Sequence, residues 1–148
     1  MTAKQDTPVK KAAGFYVGIA AVVLCLAAAI MYGINFKSME YKEPIYDSTV
    51  WILLSVTAVI AAAMLMVRKL DGFAPVALCI GSGISFLMYV HLIIWPVADT
   101  IYGIEPFPHI QEVIICAALL LLSFIVSEVS LYMRKTKVIE TKAETKTA

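Results

Sequence analysis

The chain has 148 residues, of which 61% are hydrophobic and 16% charged, with a formal net charge of +1. That charged share lies well below the roughly one quarter usual for soluble domains, which excludes water as the main solvent. The net charge itself says nothing about nucleic acid, and because the basic residues are split among segments flanking the apolar runs, no nucleic-acid partner is expected.

In chain order, residues 1–13 form a polar tail bearing Lys4, Lys10 and Lys11. The first apolar run follows over 14–34, and its centre, "YVGIAAVVLCLAAAI", is apolar on every side. Lys10 and Lys11 before it and Ala27, Ala28 and Ala29 near its end resemble a secretory signal. The run is too long for such a core and passes straight into "MYGINF", so it reads as a retained anchor. A polar connection over 35–47 leads to a second run, 48–67, for which Asp47 or Ser48 supplies the helix cap. The short link "VRKLDGFAP" contains an Asp71–Gly72 turn and places Pro75 in the first turn of the third run, 73–95. A second connection, 96–109, precedes the fourth run, 110–133, where Glu112 complements the helix dipole. Residues 134–148 lack an apolar face and read as a flexible tail.

At about 1.5 Å per residue, each run spans the roughly 30 Å hydrocarbon core of a bilayer. A soluble bundle would need a polar stripe on each helix, and a transmembrane barrel would show alternating segments of about ten residues. Neither pattern is present. The fold expected is an all-α integral membrane protein, an antiparallel bundle of four transmembrane helices arranged as two hairpins over 14–133. Ten of the twelve Lys and Arg lie in the two tails and at Arg68 and Lys69, leaving Lys37 and Lys42 on the other side. The positive-inside rule then puts both termini in the cytoplasm and both longer loops outside a plasma (inner) membrane. Tyr32, Tyr46, Trp51, Trp95 and Tyr102 fall near the outer boundary as half of an aromatic belt. The loops "YKEPIYDSTVWIL" and "YGIEPFPHIQEVI" share a Tyr followed by Glu-Pro, a weak sign of duplication.

Helix contacts in lipid favour small residues. Gly14 and Gly18 on the first span and Ala77, Gly81 and Ser85 on the third recur at four-residue spacing. These stripes seal the bundle or, alternatively, a self-association seam.

Chemistry is sparse. Cys25, Cys79 and Cys116 form no CxxC and lie at different depths, so apolar packing is their expected role. His91 and His109 do not share a level, which argues against a haem or metal held between them. His109 and Glu112 stand three apart on one helical face, with Asp99 and Glu105 near in sequence, but that pattern is too unspecific to assign a metal. Phosphate-binding glycine loops, HExxH and GxSxG are all missing. No catalytic residue, metal or cofactor is therefore assigned. The expected function is a non-enzymatic accessory or scaffold subunit of a larger membrane complex. Its external partner would meet Tyr102, Glu105, Phe107 and His109 on a proline-stiffened loop, while the bilayer and a larger membrane protein, or a second copy, surround the helices. The alternative is a small homo-oligomeric transporter or channel lined by Glu128, His91, Ser123 and Ser127, in which Glu128 is the one acid past the first turn of a span.

Overall fold

The computed structural model describes residues 9–39, 41–42, 44–67, 70–133 and 136–138. Four helices make up most of it: α1 (Ala13–Asn35), α2 (Ser48–Met66), α3 (Ala74–Ile101) and α4 (Ile110–Tyr132). All four are long and apolar enough to cross a membrane. Two three-residue strands, β1 (Val9–Lys11) and β2 (Thr136–Val138), pair antiparallel with Val9 opposite Val138. The segments flanking α1 and α4 are thereby tied together, and Thr136–Val138 are the residues of the expected tail that the structure describes. Lys4, Arg68, Lys69, Arg134, Lys135, Lys142 and Lys146, on which the orientation argument leans, lie outside the described residues.

Each helix packs against two neighbours in the ring α1, α2, α3, α4, and α1 also touches α3 across the middle. Close approach depends on small residues. Gly14, Gly18, Gly81 and Ser85 are buried, whereas Ala77 is only half-buried. Gly18 lies against Leu65 of α2 and Ser130 of α4, so the start of α1 adjoins the ends of both neighbours. At the opposite end, Tyr32 of α1 stacks on Tyr46 at 5.4 Å and meets Tyr89 of α3 edge-on at 5.8 Å. The Tyr89 hydroxyl donates to the carbonyl of Val113 in α4 at 2.8 Å, joining a third helix to that cluster.

Tyr32 is not a belt residue. It is 0% exposed, its oxygen accepts the Asp47 N–H at 2.8 Å, and its hydroxyl donates to the Asp47 carbonyl at 3.3 Å. Its polar tip is satisfied by the loop that covers it, so burying the ring leaves no orphan group. Trp51, Trp95 and Tyr102, by contrast, are exposed.

Asp47, rather than Ser48, caps α2, accepting the Thr49 N–H at 2.7 Å. That bond holds the carboxyl below its ordinary value of 3.8. A lowered folded pKa adds stability that is complete above the unfolded value and lost as pH falls through the folded one. Asp47→Ala is therefore expected to lower stability by about 1 kcal/mol at neutral pH. In thermal unfolding of detergent-solubilised protein the gap between the two proteins should close below about pH 4; a gap constant with pH would refute the cap's electrostatic part.

The third helix runs past the expected boundary at residue 95 to Ile101. Pro96 lacks the N–H that the Leu92 carbonyl would otherwise accept, a common reason for a helix to end. Here the ring is buried and the helix continues, with the Thr100 hydroxyl donating to the Pro96 carbonyl at 2.8 Å. Within a packed helical assembly such interruptions are tolerated because neighbouring groups take up the slack. Asp99 consequently stands in the last helical turn instead of in a loop.

Candidate functional site

The polar residues of the two longer connections converge at the end of α3. Gly103, at φ +67°, follows the helix in the left-handed conformation that glycine adopts without steric penalty. Its N–H bonds to the Thr100 carbonyl at 3.3 Å and that of Ile104 to the Asp99 carbonyl at 2.9 Å, the two bonds of a Schellman closure. The chain is thereby turned back across the helix end. The Phe107 N–H then donates to the Thr100 hydroxyl oxygen at 3.1 Å, fixing the returning strand.

The connection between α1 and α2 closes over this turn. The Tyr41 hydroxyl donates to Asp99 Oδ2 at 2.5 Å, while the Lys42 ammonium pairs with Glu105 and lies 3.9 Å from Asp99. Phe107 sits beneath, edge-on to Tyr41 at 5.6 Å and to His109 at 5.9 Å. The Asp99 hydrogen bond raises the Tyr41 phenol above its ordinary 10.0, and the bond to Glu105 raises the Lys42 ammonium above 10.5. Phenol and ammonium therefore keep their protons throughout the physiological range. The ion pair is exposed and open to screening by salt, so the buried Phe107 ring is what gives this clasp a solid centre.

The four docking candidates fare differently. Phe107 is 4% exposed and faces its own chain, so it supports the surface from below instead of offering itself to a partner. Glu105 is exposed but engaged by Lys42. Tyr102 is 79% exposed, and Ile101 and Ile104 beside it are 74% and 69% exposed. His109 is exposed, with Nδ1 3.6 Å from Glu112. Asp99 and Glu105 turn toward Tyr41 and Lys42, and among the described residues no three metal-ligating side chains come together.

The four transport candidates do not share one surface. Ser123 and Ser127 are fully buried, the latter donating to the Phe124 carbonyl at 2.7 Å, and Ser123 lies beside the Cys25 thiol. His91 and Glu128 are exposed on the outside of the bundle.

Sequence reasoning passed over Tyr41, Lys42 and Gly103. Gly103 falls two residues past the end of α3 but eight past the expected end of the third run at residue 95, so it did not read as that helix's stop. The opposite charges of the two loops were visible, but nothing local said that the loops touch.

Comparison of the chain with protein-family patterns, with curated proteins and with solved structures finds no match.

Proposed function

We propose that this protein is a non-enzymatic accessory subunit of a larger membrane complex. In this reading its helices form an antiparallel bundle in the plasma (inner) membrane, both termini are cytoplasmic, and the clasped outer loops are a docking head. The observation that carries it is the height and exposure of the end of α3. Its 28 residues extend about 42 Å, against roughly 30 Å of hydrocarbon. From Trp95, an exposed interfacial residue, to Ile101 is about 9 Å further along the axis. Ile101, Tyr102 and Ile104 therefore stand above the lipid, where exposed apolar side chains have no solvent that suits them. The Schellman turn and the Tyr41–Asp99 clasp hold them in place beforehand, which reduces the ordering cost of binding. The distribution of basic residues supports the orientation. A transporter within one chain is disfavoured, because buried Ser123 and Ser127 and exposed His91 and Glu128 line no common path.

The test is gentle extraction from the native membrane, followed by mass spectrometry of what co-purifies at fixed stoichiometry. Tyr102→Ala combined with Ile104→Ser is expected to lose an external partner and to leave the bundle folded. Retention of every component by that double variant would refute the docking head. Purification of a homo-oligomer alone would favour the transport alternative, in which Glu128→Gln abolishes solute or proton flux in liposomes.

A further inference from the structure

On another face, at the outer end of the cleft between α1 and α2, a groove of about 380 Å³ is lined by Ile30, Gly33, Ile34, Lys37, Tyr46 and Trp51. We propose that it binds one anionic phospholipid, with the headgroup phosphate held by Lys37, Trp51 and Tyr46 and an acyl chain lying along Ile30 and Ile34. This inference requires only membrane insertion and is independent of the docking head.

The groove is divided by polarity along the membrane normal. Ile30, Gly33, Ile34 and Lys37 follow one another at i, i+3, i+4 and i+7, so they share one face of α1 and its short continuation, the 3-10 turn Phe36–Ser38. Ile30 and Ile34 are exposed, Ile30 about one turn deeper along α1, whereas Lys37 lies past the end of α1. Trp51 is in the first turn of α2, the level at which indoles meet headgroups.

The polar end is built, not merely basic. Trp51 rests directly on Gly33: a Cβ added there would be 2.7 Å from Nε1 and 2.8 Å from Cδ1 of the indole. Only glycine lets the ring lie so close to α1. Tyr46 is held by stacking on Tyr32, itself anchored through Asp47. An ammonium, an indole N–H and a phenol O–H thus edge the same groove. Among the described residues none of the three has a hydrogen-bond or ion-pair partner. Three donors around one groove complement the acceptor oxygens of a phosphate. The apolar half identifies the source as a lipid, since free phosphate has no use for it.

The chain has two tryptophans, so Trp95→Phe leaves Trp51 as the single reporter. The full-length variant would be reconstituted into phosphatidylcholine vesicles containing a small fraction of brominated phosphatidylglycerol or, in parallel, brominated phosphatidylcholine. Preferential quenching of Trp51 by the anionic lipid, about fivefold at low mole fraction, is expected from one well-placed lysine. Lys37→Gln should bring the two lipids to parity with the helical spectrum unchanged. Millimolar inorganic phosphate should leave the preference intact; displacement by it would overturn the lipid assignment. Equal quenching by both lipids before substitution, or a preference that survives Lys37→Gln, would overturn the site.

Discussion

Replacing Gly81 with alanine is expected to destabilise the bundle by about 2 kcal/mol, the middle of the range for overpacking a closed interface. A Cβ at Gly81 would fall on Thr57 of α2, within contact of Oγ1 and Cγ2 and 2.7 Å from Cβ. A hydroxyl or methyl can rotate away, but Cβ is fixed to the backbone, so α2 and α3 must move apart. Alanine's higher helix propensity, worth about 1 kcal/mol, offsets only part of this. Lipid offers no hydrophobic drive to push the helices back together, and the packing lost is not recovered elsewhere. The decisive measurement is the double variant. Thr57→Gly in the Gly81→Ala background moves the small residue to the facing helix and should restore most of the stability in a detergent unfolding titration. If Gly81→Ala alone were neutral, or Thr57→Gly made it worse, this contact would not set the distance between α2 and α3.

The second large effect concerns Tyr89, which is fully buried and meets the rings of Tyr32 at 5.8 Å and Phe36 at 5.5 Å. Tyr89→Ala should lower stability by about 3–4 kcal/mol, since truncating a buried aromatic leaves a cavity that the fixed rings around it cannot fill. Tyr89→Phe removes only the hydroxyl that donates to the Val113 carbonyl. Interhelical hydrogen bonds in membranes average about 0.6 kcal/mol, so the phenylalanine variant should stay close to the parent. Thermal unfolding of the three proteins side by side separates the contributions. Equal losses for the two variants would mean that the hydrogen bond, not the ring packing, joins α3 to α4 at this end.

Several features of the site were legible before the fold was known and others were not. The small-residue spacing singled out Gly81, but its facing residue depends on how α2 and α3 are rotated. Helices that are apolar all round carry almost no directional signal, so one pattern cannot say which side meets lipid. That is why Ser123 and Glu128, five residues apart, were grouped in one lining yet face opposite ways. Tyr32 and Trp51 look alike as boundary aromatics, and the difference lies in the loop that satisfies one hydroxyl. The third run is expected to end at residue 95, whereas α3 continues through the buried Pro96 by another turn and a half.

Length, hydropathy and the placement of breakers by themselves determined that this chain makes four apolar helices of membrane-crossing length, and where three of them begin and end to within a residue or so. Those properties sum over twenty or more neighbouring residues, and no distant contact reverses them. Only the tertiary structure decided that Asp99 is helical, that Phe107 is covered, that Tyr41 and Lys42 close over the end of α3, and that Trp51 rests on Gly33 beside Lys37. Each of these is a pairing between segments separated along the chain. Its energy comes from one geometry of approach, which the order of residues implies only through the packed whole.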